Sequence, residues 1–292
     1  MPPWVFYAML AVLCWGGWGI ASKLASDSAL LNQILSTIGL IPSAAVVLRQ
    51  LNWSRQGAVW SSLGGVTGGL GNLFFLAALT QGGNASVVVP LTAIYPLITV
   101  ALAWLVLHEK LHRRQFLGLV LALGAIVFLN REKSVEAGAL QGSFGWLTLT
   151  IVALCFYGVS ALFQKLATNL IPAESAFVGF TAGFIPVAIV ILLTDSFHIF
   201  ATEPIRWSVG ARPWFWGILG GVLNGLGVLA SLAAYRLGGK ASIVTPLTGL
   251  YPVVTVFLAV SFLGEKIDTF KTAGIALALA AAVILSYEPE TE

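Results

Sequence analysis

One short motif in the chain has the residue types and spacing of a zinc site. His108, Glu109 and His112 form an H-E-x-x-H pattern, in which two imidazoles four residues apart share one face of a helix. The chain repeats this segment from Gly264 to Asp268 as G-E-K-I-D, so the histidines occur in one copy only. The Glu-Lys pair therefore belongs to a duplicated framework. We predict no metal site, no cofactor and no enzymatic activity, since no nucleophile-base pair or phosphate-binding loop occurs either.

Polar and aromatic residues inside otherwise apolar segments form a second group, which could bind a small polar solute. A buried amide or hydroxyl is costly without a partner, so each group either joins two helices or contacts a solute. Two amides, Asn72 and Asn224, lie one helical turn apart when the two halves of the chain are aligned. We predict as substrate-binding residues Trp15, Trp18, Asn72, Thr92, Tyr95, Tyr157, Ser160, Gln164, Asn224, Thr248 and Tyr251. A purely structural role for these side chains stays open.

Four prolines and two lysines complete the candidates. Proline removes a backbone donor and disturbs the preceding turn, so it can bend a helix around a site or act as a static kink. Lys23 and Lys165 end matching helices, where they could contact an anion or extend to the membrane interface. The predicted gating or hinge residues are Pro90, Pro96, Pro246 and Pro252.

The elements that must position these residues are hydrophobic helices. Of 292 residues, 58% are hydrophobic and 9% are charged, against roughly a quarter charged in soluble domains. A membrane span takes about 20 apolar residues, and a backbone in lipid satisfies its hydrogen bonds as a helix. The apolar runs predict ten spans, near residues 4–22, 30–48, 58–80, 85–107, 115–130, 143–164, 173–194, 213–237, 241–263 and 270–287.

The chain contains an internal repeat. The segment that starts at Gly82 aligns without a gap with the segment that starts at Gly238, and the first helices align at a shorter offset that pairs Trp15 with Tyr157. Aligned pairs in the longer segments are Pro90 with Pro246, Tyr95 with Tyr251, Pro96 with Pro252, and Glu109 with Glu265.

Each copy of the repeat should hold five helices, in residues 1–133 and 143–288. An odd number of spans makes the second copy insert upside down relative to the first. The predicted fold class is therefore an all-α membrane protein with ten transmembrane helices as two inverted five-helix repeats. Inverted repeats are typical of secondary transporters, which bind substrate near the midplane between the halves.

The chain resembles the ten-helix EamA-type members of the drug/metabolite transporter superfamily. The resemblance rests on the Trp15-Gly16 pair, on Lys23 at the end of that helix, and on the Pro-to-Glu-Lys helices 90–110 and 246–266. It implies a secondary carrier of metabolites that works without nucleotide hydrolysis.

The acidic residues all fall in loops, tails or helix ends, so no carboxylate is expected deep in the membrane. A neutral cavity between the first, third, fourth, sixth, eighth and ninth helices would suit a neutral or zwitterionic solute, such as an amino acid or a sugar. The alternatives are an ion or divalent-cation channel on the same fold and a membrane scaffold without transport activity.

The predicted partners are the lipid bilayer and a small-molecule substrate. Nucleic acid is not expected, because the basic residues are dispersed along the inter-helix segments. The oligomeric state stays open, and a monomer is compatible with the sequence. The predicted location is a bacterial or archaeal inner membrane, with both termini cytoplasmic. The positive-inside rule favours that orientation through the first half, where Arg49, Arg55, Lys110, Arg113 and Arg114 lie on one side and Lys23 on the other. The second half shows no clear bias.

Overall fold

The protein is all-helical in the part of the chain that the structure describes, and no strand occurs there. The computed structural model describes residues 2–25, 28–48, 51–80, 92, 94–109, 112–129, 145–195, 205, 207, 210–263 and 268–285. The helices are α1 Pro3–Ala25, α2 Ala29–Val46, α3 Arg55–Thr80, α4 Pro96–Val106, α5 Arg113–Leu129, α6 Gly145–Leu170, α7 Ala173–Thr194, α8 Ala211–Arg236, α9 Ala241–Thr248, α10 Pro252–Leu263 and α11 Thr269–Leu285.

Within the described ranges, five segments are long and apolar enough to cross a membrane by length and composition: Pro3–Ala21, Gly145–Leu170, Ala173–Thr194, Ala211–Arg236 and Ala241–Leu258. Large apolar side chains also point outward, for example Leu193 at 69% exposure and Val283 at 73%. An exposed apolar surface of this kind is stable in lipid rather than in water. The protein is therefore an integral membrane protein.

The predicted ninth span is interrupted. Helix α9 ends at Thr248, a turn covers 249–251, and α10 begins with Pro252, which occupies a first-turn position where its missing N–H costs no hydrogen bond. Pro246 lies inside α9, and Pro96 begins α4 directly after Tyr95. Pro90 lies outside the described residues. Each of the two matching segments thus contains a helix that begins at a proline.

Glycines allow the two halves of the chain to approach closely. A Cβ atom at Gly65 would lie 1.9 Å from the Phe180 carbonyl oxygen of α7, and one at Gly221 would lie 2.3 Å from the Ser36 carbonyl oxygen of α2. Gly65 and Gly221 are aligned positions of the repeat. A side chain at either position would clash with the facing backbone, which is why small residues occur where membrane helices approach closely.

The H-E-x-x-H segment does not form the single helix that a zinc site requires. Helix α4 ends at Val106, and His108 has a φ of 53°, in the left-handed region. The turn is closed by hydrogen bonds from the N–H groups of Leu107 and Glu109 to the Ala103 carbonyl oxygen. The aligned residue in the second half is Gly264, and glycine is the residue type that tolerates such a φ best.

Candidate functional site

A cavity of about 160 Å³ lies between the helices of the two halves. It is lined from α1, α3, α6, α7, α8 and α9, and from the residues that precede α4 and α10. The lining residues are Trp15, Trp18, Gly68, Asn72, Phe75, Thr92, Tyr95, Tyr157, Ser160, Ala161, Gln164, Phe180, Phe184, Asn224, Val228, Ser231, Tyr235, Thr248 and Tyr251.

All eleven residues that the sequence predicts to bind substrate lie in this lining, although their role in binding stays a prediction. Sequence reasoning missed α7 entirely, since Phe180 and Phe184 look like ordinary apolar helix residues. It also missed Tyr235, whose hydroxyl lies 2.9 Å from the Thr245 hydroxyl of α9. A tyrosine within an apolar helix, one residue before Arg236, was the available signal.

On one side of the cavity, an indole donates to an amide of the other half. The Trp15 Nε1–H donates to the Asn224 Oδ1 over 3.1 Å. The ring of Trp15 lies directly on Gly227, where a Cβ atom would be 2.5 Å from Nε1. The hydrogen bond and the close ring contact together fix α1 against α8.

The other side of the cavity has the matching arrangement with a different donor. Tyr157 of α6 donates its hydroxyl proton to the Asn72 Oδ1 of α3 over 3.0 Å. Its ring lies on Gly71, where a Cβ atom would be 2.9 Å from Cδ1. The Asn72 amide donates in turn to the Oε1 of Gln33, a side chain that is 1% exposed. Gly71 and Gly227 are aligned positions of the repeat, so both halves place an aromatic ring on the same glycine.

The two tyrosines that directly precede α4 and α10 also contribute aromatic rings to the lining. Tyr251 makes edge contacts with Trp15 and Trp18, at ring-centre distances of 6.5 and 6.2 Å. Tyr95 contacts Tyr157 at 5.9 Å. Such ring contacts add to the packing that holds each ring in place.

Threonines one turn further along hold these segments against the first helix of the opposite half. The Thr255 hydroxyl donates to the Gly16 carbonyl oxygen over 3.1 Å, and the Thr99 hydroxyl donates to the Gly158 carbonyl oxygen over 3.2 Å. Thr99 and Thr255 are aligned in the repeat. The tyrosines that precede them are therefore held in corresponding places on the two sides.

The chemistry of the cavity is neutral. None of the lining residues named above is charged. The interrupted helix offers no free amides either: the N–H groups of residues 249–251 and 253–255 all donate to carbonyl oxygens three or four residues earlier. Hydroxyls, side-chain amides and aromatic faces are the groups that the lining presents to a solute.

Lys165, predicted as an anion contact, has different partners. Helix α6 continues to Leu170, so Lys165 lies within the helix rather than at its end. Its buried ammonium donates to the carbonyl oxygens of Tyr235 (3.0 Å) and Gly239 (2.9 Å), at the C-terminal end of α8. A cation there complements the dipole of α8. Lys165 is not part of the cavity lining, and the side chain of Lys23 lies outside the described residues.

Comparison with known proteins identifies relatives of this chain. The chain is 30% identical over 141 residues to an uncharacterised protein of Methanocaldococcus jannaschii, which covers 48% of this chain and 95% of the relative. It is 28% identical over 148 residues to an uncharacterised transporter of a Sinorhizobium species, which covers 49% of this chain and 98% of the relative. Both relatives thus correspond in length to about one half of this chain.

A solved crystal structure has the same fold, with a TM-score of 0.73 over 97% of this chain and 96% of the other, at 22% identity. The model of the EamA-like transporter family matches twice, at residues 2–131 and 144–287. The resemblance seen in the sequence is confirmed. With both halves matched, the chain belongs to the EamA-like transporter family.

Proposed function

We propose that the protein is a secondary carrier that moves a small polar metabolite across the membrane by alternating access. The observation that carries the proposal is the cavity between the halves, in which aligned residues of both halves contribute the lining. A site shared between two repeats is what a carrier needs if one repeat is to move against the other.

In this proposal the halves 1–133 and 143–288 are inverted five-helix repeats with ten spans in all. Pro96 and Pro252 begin the helices beside the cavity, where they would serve as hinges together with Pro90 and Pro246. The protein would lie in a bacterial or archaeal inner membrane with both termini cytoplasmic.

The proposed substrate is a neutral or zwitterionic solute of the size of an amino acid or a monosaccharide. A dry cavity of about 150 Å³ holds a molecule of benzene size, and the cavity here is about 160 Å³. A solute with a net charge would leave that charge unpaired among the uncharged lining residues, and burying an unpaired charge is costly. Aromatic faces favour solutes that have an apolar or planar side.

The test is a thermal-shift screen of the detergent-purified protein against amino acids, sugars, nucleotide sugars and organic phosphates. Any stabilising compound is then assayed for counterflow in liposomes. A compound that stabilises the protein and exchanges across the bilayer supports the carrier. Ion leak without any stabilising solute would instead support the channel alternative.

Two matched variants link the transport to the cavity. Tyr95→Phe and Tyr251→Phe remove one hydroxyl each and keep the rings. Loss of a single neutral hydrogen bond to the solute should weaken its binding about 2- to 10-fold. Membrane expression should be unchanged. Wild-type affinity and exchange in both variants would contradict the assignment of this cavity as the substrate site.

A further inference from the structure

The turn after α4 does more than end a helix, because its acidic residue binds the opposite half. The Glu109 carboxylate accepts hydrogen bonds from the N–H groups of Ala241 (3.0 Å) and Ser242 (2.9 Å) and from the Ser242 hydroxyl (2.6 Å). Ala241 is the first residue of α9. A carboxylate of the first half therefore caps the N-terminus of the short helix in the second half, a favourable place for negative charge.

Helix α9 connects this cap to the cavity. It has eight residues, all buried. Thr245 contacts the Tyr235 hydroxyl, Thr248 ends the helix in the cavity lining, and Tyr251 follows after the turn. At a rise of about 1.5 Å per residue, the capped end lies only about 10 Å along the axis from Thr248. Any shift of α9 at its N-terminus therefore moves groups that line the cavity.

The same end of the molecule is closed by packing around α9. Ala241, Ile243 and Val244 belong to one buried apolar cluster with Trp4 of α1 and Ala234 of α8. The Lys165 ammonium, bound to carbonyl oxygens at the end of α8, lies on this side too. Tyr235 belongs to this cluster and also lines the cavity, so buried packing extends from α9 to the cavity on this side.

We propose that Glu109 is a positioning residue of the transport site: it holds α9 across the two halves while this end is closed, and releases α9 when this end opens. The inference rests on the carrier proposal, since only a carrier must open at each end in turn. Glu109 is half-buried and makes three charge-assisted hydrogen bonds, which are stronger than neutral ones and keep the end closed. Once water enters, both the carboxylate and the freed N–H groups are solvated, so release costs much less.

The test measures access to α9 directly and needs no substrate. Cys14 and Cys155 are first replaced by Ser, and Ala241→Cys introduces a single thiol at a position that is fully buried in the wild type. The alkylation rate of that thiol by N-ethylmaleimide reports how often this end opens. Glu109→Ala should raise the rate about tenfold or more, and Glu109→Gln, which keeps one acceptor oxygen, should raise it less.

A matched control and a milder variant keep the test decisive. Glu174→Gln removes a carboxylate from the first turn of α7, a residue with no role in α9, and should leave the rate unchanged. Ser242→Ala removes only the hydroxyl bond to Glu109 and should raise the rate by a few-fold. If Glu109→Ala does not fold, the alkylation rate of Ser242→Ala provides the test instead. A merely structural role would lower the unfolding temperature without raising the rate in the folded protein.

The outcomes separate this inference from the carrier proposal. Raised alkylation in Glu109→Gln and Ser242→Ala, at an unfolding temperature within a few degrees of wild type, supports the positioning role. Wild-type rates in both variants would overturn it, even if counterflow shows that the protein is a carrier. Raised rates in a protein that exchanges no solute would overturn the transport part of the proposal and leave Glu109 as a holder of α9 alone.

Discussion

The contact between Trp15 and Gly227 makes the sharpest prediction about the cavity. A Cβ atom at position 227 would lie 2.5 Å from the Trp15 Nε1 and 2.6 Å from its Cδ1. Ordinary contact needs about 3.5 Å or more, so in Gly227→Ala the ring must move by about 1 Å. The hydrogen bond from Nε1 to Asn224, now 3.1 Å long, would then exceed the limit of a useful bond.

The net effect on stability is the sum of three terms. Overpacking costs about 1–3 kcal/mol, and the lost hydrogen bond costs about 0.5–1.5 kcal/mol. Replacing glycine by alanine inside a helix gains about 1 kcal/mol. Gly227→Ala should therefore lower the free energy of unfolding by about 2 kcal/mol. It should also weaken binding of any solute found in the thermal-shift screen, because the displaced ring lines the cavity.

Two other glycine variants calibrate this expectation. At Gly71 the Cβ atom would be 2.9 Å from the Tyr157 ring, so Gly71→Ala should have the same effects at smaller size. At Gly124 the nearest atom, Leu277 Cδ1, is 3.7 Å away, and Gly124→Ala should keep or raise the unfolding temperature. The assay is thermal unfolding in detergent, with and without ligand. If Gly227→Ala behaves like Gly124→Ala, the ring does not rest on the glycine as described.

Further predictions concern the end of the molecule near α9. Lys165→Met removes the ammonium donor from the carbonyl oxygens of Tyr235 and Gly239, so we expect a lower unfolding temperature. Lys240→Met, at an exposed position, should change nothing measurable. An equal response of the two variants would show that the ammonium contributes no capping. His108→Gly should keep or raise the unfolding temperature. His108→Val should lower the free energy of unfolding by about 1 kcal/mol, because a β-branched residue fits a φ of 53° poorly. The reverse order of stability would contradict the conformation of that turn.

The repeat explains why so much of the site could be predicted from the sequence. A polar residue in one apolar helix has many explanations, but Tyr95 with Tyr251 and Thr92 with Thr248 occupy aligned positions beside a proline. Residues aligned in this way tend to serve one shared site. The structure brings both pairs to one cavity.

The remaining errors have physical causes. Phe180 and Phe184 carry no polar atom, and an aromatic ring at an apolar position gives no sign of whether it faces lipid or a cavity. The sequence predicts that this span ends near residue 164, because the charge of Lys165 suggests a membrane boundary. Its ammonium could be buried because α8 ends beside it and provides two carbonyl oxygens, a tertiary contact that the local sequence does not encode.

The different registers of the two amides follow from the donors that they serve. Gly71 and Gly227 are equivalent, and each carries an aromatic ring of the opposite half. The donor of an indole is set in its five-membered ring, whereas the hydroxyl of a tyrosine projects from the far end of the ring. The acceptor for Tyr157 on α3 must therefore occupy a different repeat position from the acceptor for Trp15 on α8. Asn72 is indeed displaced by one helical turn from the position that matches Asn224. The halves thus keep the same ring-on-glycine contact and differ in their hydrogen-bonding groups. Such a cavity presents unlike faces to its two sides, which a carrier would need in order to hold an asymmetric solute in one orientation.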